Sequence, residues 1–108
     1  MDKIAIIGVS CLFPGAHTVD QFWRNLLDGR DLTSHVTGAQ LGIADDDACQ
    51  FYSPEKGQRD RYYNLRGGYI HDFTFDPTGY QVPATALQAL DPAFQWALYV
   101  AQQALQDS

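Results

Sequence analysis

The chain has 108 residues, of which 45% are hydrophobic, 13% aromatic and 19% charged, enough for one small globular domain and incompatible with disorder throughout. Thirteen acidic against seven basic residues give a formal net charge of −6, which argues against nucleic acid or an anionic membrane held by bulk charge. Two cysteines, Cys11 and Cys49, are too few for a disulfide framework, so a reducing compartment, the cytoplasm, is expected.

Ile4-Ala5-Ile6-Ile7-Gly8-Val9 is a continuous apolar run rich in β-branched residues, the pattern of a strand buried on both faces as in parallel sheets. Gly8, Ser10, Pro14 and Gly15 interrupt it far short of a membrane span. Asp2, beside Lys3, argues against a signal peptide with Cys11 as a lipid-anchor cysteine. From Cys11 to Ala16, Phe13-Pro14-Gly15 predicts a turn. Thr18 with Gln21 forms a capping box, Phe22, Trp23, Leu26 and Leu27 share one face, and Gly29 supplies a stop, so a helix is predicted over Thr18 to Asp28.

Between Arg30 and Arg66 the periodicity fades around Gly38, Gly42, Asp45-Asp46-Asp47 and Ser53-Pro54-Glu55-Lys56-Gly57, which reads as a long irregular excursion. Gly67-Gly68-Tyr69-Ile70 and Asp72-Phe73-Thr74-Phe75 are strand candidates, the second with Phe73 and Phe75 on one face. Pro83 opens a short helix through Leu90, and Asp91-Pro92 starts another that runs to about Gln106. In that last helix Phe94, Leu98, Ala101 and Leu105 join Ala93, Ala97, Val100 and Ala104 in an apolar arc. Gln95, Tyr99, Gln102, Gln103 and Gln106 lie opposite. Lys and Arg are absent after Arg66, and two readings stand for this uncharged side: it meets protein, or it faces water.

A strand apolar on both faces needs neighbouring strands and a helical layer on each side, yet the sequence holds one such run. The chain therefore reads as incomplete. No repeat and no low-complexity tract offers another explanation.

The candidate chemical groups are sparse. Gly8-Val9-Ser10-Cys11-Leu12 is similar to the start of a nucleophile elbow, but Leu12 replaces its second glycine and Phe13-Pro14 blocks the helix that should follow. Ser10 is expected instead to satisfy backbone at a strand end. Gly8 and Gly15 stand too far apart for a phosphate or dinucleotide loop. Cys11 needs His17, His35 or His71 nearby to act as a nucleophile, and no spacing signature pairs them, so a small apolar core cysteine is expected. No ligand spacing supports a metal site, since Asp45-x-Asp47 has Gln50 and Lys56 where a calcium loop takes Gly and Glu. Lys56, Arg59, Arg61 and Arg66, interleaved with Tyr62 and Tyr63, form the one basic aromatic cluster. Its composition suits a phosphate or base clamp, and the favoured reading is a surface loop paired to Glu55 and Asp60.

Taken in order, Ile4 through Ala16 and then Phe22-Trp23-Arg24-Asn25-Leu26-Leu27-Asp28-Gly29-Arg30-Asp31 resemble the amino-terminal signature of β-ketoacyl synthase domains of modular polyketide synthases. The resemblance continues through Arg66-Gly67-Gly68-Tyr69-Ile70, Phe75-Asp76-Pro77, Leu90-Asp91-Pro92 and Ala101 to Asp107. It implies an α/β class, an incomplete thiolase-like fold holding the first strand, capping loops and helices of the amino-terminal half, with residues 1–108 as one portion of a ketosynthase domain. It also implies chemistry in the parent: a cysteine accepts an acyl chain from acyl carrier protein or a coenzyme A thioester, and two histidines assist decarboxylation of a malonyl-type extender and carbon–carbon bond formation. The implied partners are the remainder of the domain, acyl carrier protein with its phosphopantetheine arm, and a second ketosynthase in a homodimer. No cofactor bound directly, no metal, no nucleic acid and no membrane are expected.

Cys11, Cys49, His17, His35 and His71 do not match the family's catalytic positions, so no catalytic residue is carried over and the piece is expected to be inactive alone. Leu12 stands where an arginine is common, Gln81-Val82-Pro83-Ala84-Thr85-Ala86 lacks the usual acid and base after the proline, and Ala93-Phe94-Gln95-Trp96 replaces a Gln-Gln-Arg run. These departures are similar to ketosynthases of polyunsaturated fatty acid or glycolipid synthases. The alternative function is a noncatalytic module whose uncharged helix face binds a synthase subunit or acyl carrier protein.

Overall fold

The computed structural model describes residues 3–43 and 50–108. Asp45, Asp46, Asp47 and Cys49 lie outside the described residues. The chain divides into two compact units, one made of Met1–Arg30 with Ile70–Ser108 and the other of Asp31–Tyr69.

In the first unit, Phe13 and Ala16 exchange backbone hydrogen bonds of 2.8 and 3.0 Å, and Gly15 lies at φ 66. Pro14 presets the second residue of this turn and Gly15 supplies the positive φ required at the third. Helix α1 follows over Val19–Leu27, with Thr18 as N-cap accepting from the Gln21 amide at 3.2 Å. The Gln21 side chain reaches back one residue further than a capping box requires, to the His17 amide at 2.8 Å. Gly29 at φ 60 ends the helix. The predicted boundaries therefore hold, because caps act within one turn of the chain.

The predicted apolar face of α1 behaves differently. Trp23 is 59% exposed and Leu27 is 69% exposed; Phe22 packs its ring on Phe13 at a centroid distance of 4.9 Å. The buried side chain of α1 is Asn25.

Ile4–Val9 forms no ladder among the described residues, and Ile4, Ile6 and Ile7 are 96%, 85% and 76% exposed. The strand candidate over 72–75 also forms no ladder. Asp72 sits at φ 54, a left-handed value that breaks an extended run. Phe73 and Phe75 nonetheless stay half-buried with Thr74 exposed between them, so the alternation survives without the sheet.

Helix α2 covers Ala84–Gln88, two residues short of the predicted Leu90, and α3 covers Pro92–Asp107. The Asp91 carboxylate accepts from the Ala93 amide at 2.9 Å, the cap read from Asp91-Pro92. The uncharged side of α3 meets protein in part: Tyr99 donates to the His17 carbonyl at 2.8 Å, Tyr80 to Gln102 Oε1 at 3.1 Å, and Gln95 to the Leu87 carbonyl at 3.0 Å, while Gln106 is exposed. The apolar arc splits. Leu98, Val100 and Ala104 are half-buried, whereas Phe94 and Leu105 are exposed.

In the second unit, β1 (Ser34–His35) pairs antiparallel with β2 (Arg66–Gly67), Ser34 opposite Gly67 and His35 opposite Arg66. Only the first residue of the candidate over 67–70 is in a strand. A 3-10 turn covers Ala39–Leu41, and Tyr52 bridges Tyr62. Among the described residues no helix is long and apolar enough to cross a membrane.

Candidate functional site

The described cleft of the first unit, about 190 Å³ in volume, is lined by residues that include Ser10, Cys11, His17, Thr18, Gln103 and Asp107. The turn after Ile4–Val9 supplies its cysteine, the entry to α1 its histidine and threonine, and the last turn of α3 its carboxylate. Sequence order alone places Cys11 and His17 in the same cleft only as a possibility; the turn at Pro14-Gly15 brings them there.

Their chemistry is structural. Ser10 Oγ donates to the Val100 carbonyl at 2.6 Å, so its hydroxyl satisfies backbone, as expected. Cys11 is a buried free thiol whose pKa burial pushes up, the direction that disfavours the thiolate. The His17 ring meets Phe73 edge-on at 5.3 Å, and Phe73 meets Tyr99 at 4.8 Å. That imidazole is part of an aromatic stack. His35 lies in β1 of the second unit, and His71 is exposed. Among the described residues no group of three His, Cys, Asp or Glu side chains is placed to hold a metal ion.

The basic cluster dissolves into local pairs. The Arg66 guanidinium is ion-paired to Asp31, and its Nε donates to Thr33 Oγ1 at 2.8 Å. Asp31 also accepts from the Thr33 amide and hydroxyl at 2.9 and 2.6 Å; these two bonds, then Arg66, hold its carboxyl below the usual carboxylate range. Arg59 faces Asp60 at 3.6 Å with both side chains almost fully exposed, and Lys56 stands over the Tyr63 ring at 5.1 Å. Glu55 accepts from Gln58 at 3.3 Å. The expected pairing of the loop to Asp60 is present; Glu55 has taken an amide partner.

Asn25 matters more than any of these and carried no signal beyond its place in the family block. Its Nδ2 donates to the Gly15 carbonyl at 3.0 Å and its Oδ1 accepts from Arg30 Nη1 at 3.1 Å. It ties the turn at Pro14-Gly15 to both ends of the α1 segment. The Asp-x-Thr spacing of Asp31-Leu32-Thr33, which favours a side chain to backbone turn, was the readable clue to the Arg66 clamp.

What remains is an apolar surface. Ile4, Ile6 and Ile7, the α1 residues Trp23, Leu26 and Leu27, and Phe94 and Leu105 of α3 are all exposed in the first unit. Solvated surfaces rarely carry so many large apolar groups.

An unpaired apolar segment flanked by amphipathic helices defines the class first: an α/β fold whose described part resembles the opening of a condensing enzyme. Two solved structures share it. The first is a PfaC keto synthase-chain length factor, with a TM-score of 0.83 and 43% identity over 96% of this chain and 11% of that one. The second is the oxazolomycin ketosynthase domain OzmH KS7 of Streptomyces albus JA3453, with a TM-score of 0.70 and 30% identity over 95% of this chain and 17% of that one. The profile of the β-ketoacyl synthase N-terminal domain matches residues 1–108. The chain belongs to that family, and its fold is a portion of the thiolase-like ketosynthase fold. Among curated relatives, polyketide synthase ThaG of Burkholderia thailandensis is 32% identical over 99% of this chain and 2% of its own length. The highly reducing polyketide synthase cla2 of Cladosporium cladosporioides is 36% identical over 97% of this chain and 4% of its own. The chain thus spans a small fraction of the proteins it matches.

Proposed function

We propose that residues 1–108 are the amino-terminal portion of a ketosynthase domain that condenses an acyl thioester with a malonyl-type extender, and that they contribute framework and no catalytic group. The carrying observation is the exposure of Ile4, Ile6 and Ile7 on a segment without a strand partner among the described residues: a run of this composition is stable when strands flank it on both edges. The remainder of the domain supplies those strands in this reading, and acyl carrier protein delivers the substrates on phosphopantetheine.

The raised pKa of Cys11 and the aromatic packing of His17 support placing the nucleophile and its histidines elsewhere in the parent. The departures at Leu12, Gln81 to Ala86 and Ala93 to Trp96 favour a fatty acid or glycolipid branch. The 43% identity to the PfaC keto synthase-chain length factor exceeds the 32% and 36% to the two polyketide synthases and supports a branch apart from theirs. For the alternative of a noncatalytic module, Tyr99, Gln102 and Gln95 on the uncharged side of α3 are engaged within the chain, which leaves Gln103 and Gln106 for a partner.

The test is a condensation assay on the chain with acyl and malonyl thioesters, followed by mass spectrometry. The expected result is no β-ketoacyl product. Product formation that survives Cys11→Ser and Cys49→Ser still overturns the reading, since either outcome with product puts the chemistry within this chain.

A further inference from the structure

Three observations converge where Ile4–Val9 ends. The Val9 amide donates to Asp107 Oδ2 at 2.9 Å, Ser10 Oγ donates to the Val100 carbonyl at 2.6 Å, and a side chain at Gly8 would collide with the Ala104 carbonyl oxygen. Val100, Ala104 and Asp107 are spaced by four and three residues, so they lie along one face of α3. Gly8 meets the later helix position and Ser10 the earlier one, so this piece of chain runs against the direction of α3.

The spacing has a geometric reason. Two residues of extended chain advance about 6.6 Å, and four residues of helix advance about 6 Å. A Gly-x-Ser step therefore matches one turn of helix: glycine permits the close approach, serine bonds one turn nearer the helix start, and the residue between them turns its amide to the carboxylate. Ahead of this point Ile4–Gly8 make no backbone hydrogen bond among the described residues.

We infer that Gly8, Ser10 and Asp107 form a latch that pins the end of Ile4–Val9 at one height on α3, and so fixes the register in which the segment receives a neighbouring strand. Ser10 and Asp107 are positioning residues, and the inference rests on the reading that Ile4–Val9 is a sheet strand of a ketosynthase. A strand apolar on both faces needs such a device, because a slip of one residue exchanges its two faces and leaves both still apolar. Side-chain pattern cannot choose the register, so polar contacts at one end must.

The experiment is ¹⁵N relaxation on the full chain, wild type against Ser10→Ala, Asp107→Ala, the double variant and Gly8→Ala. In the wild type the order parameters of the Val9 and Ser10 amides are expected near 0.85, falling below about 0.6 toward Ile4. In the double variant that fall begins at Cys11, and Gly8→Ala has the same effect through its clash with Ala104. Removing Asp107 takes an unfavourable negative charge from a helix C-terminus, so α3 is expected to keep its helicity by circular dichroism, and lost order at Val9 cannot come from a melted helix. Val9 and Ser10 as mobile as Ile4 in the wild type, or unchanged order in the double variant, overturns the latch. Neither result bears on the condensation assay, which tests the parent reading by itself.

Discussion

Replacing Asn25 by alanine is expected to loosen the turn that carries Cys11 into its cleft. Asn25 is 7% exposed and its side chain makes two hydrogen bonds, to the Gly15 carbonyl at 3.0 Å and from Arg30 at 3.1 Å. A typical intramolecular hydrogen bond contributes about 1 kcal/mol net, and more is lost when the abandoned partner stays buried. Arg30 can turn to water, and Gly15 is exposed, so its carbonyl can do the same. Alanine returns about 0.6 kcal/mol of helix propensity, which leaves a net loss of roughly 1–2 kcal/mol. That loss lowers amide protection about tenfold where the turn opens locally. The readout is hydrogen exchange of the Phe13 and Ala16 amides, which bond each other's residues across the turn. Asn25→Asp serves as a second variant: it keeps an acceptor for Arg30, loses the donor, and sets a carboxylate against the Gly15 carbonyl, so it should lose protection as well. Protection unchanged within twofold in both variants would refute the argument that Asn25 holds the turn.

Three further outcomes follow from the geometry. Asp31 has a folded-state pKa below its ordinary 3.8, so its contribution is present above that value and fades as the pH falls through the lower folded value. Thr33→Ala should raise the Asp31 titration midpoint seen by NMR, and an unmoved midpoint would show that Thr33 is not the main cause. Ile6→Lys should reduce both dye binding and concentration-dependent association measured by sedimentation, because it places a charge on the exposed segment; equal association in both proteins would locate the sticky surface elsewhere. With Cys49→Ser leaving one thiol, Cys11 should alkylate with iodoacetamide about tenfold more slowly than an unburied cysteine at the same pH. A rate equal to that of a free cysteine would contradict its burial.

The readable part of the candidate site was its negative side. Missing spacing signatures kept Ser10, Cys11 and the histidines from a catalytic assignment; in the structure Ser10 bonds the Val100 carbonyl and the His17 ring packs on Phe73. The positive side was illegible, because Asn25 is a polar residue on a helix whose neighbours are apolar, and only the fold of Pro14-Gly15 against α1 makes its amide the buried one. Asp107 likewise reads as a terminal acid until Val9 is brought to it across 98 residues of sequence.

Sequence by itself determined what depends on contacts within a turn of chain: the Pro14-Gly15 reversal, the Thr18 and Asp91 caps, the Gly29 stop and the apolar character of Ile4–Val9. These are set by φ preference, missing amides and side chains that reach three residues, and none needs a distant partner. Tertiary structure decided which residues of α3 turn inward, which glycine lies against a helix carbonyl, and that 72–75 bends at Asp72 and forms no ladder among the described residues. Those outcomes depend on which groups meet across the fold, and an amphipathic helix with uncharged polar residues can present either side until hydrogen-bonding partners such as the His17 and Leu87 carbonyls select one.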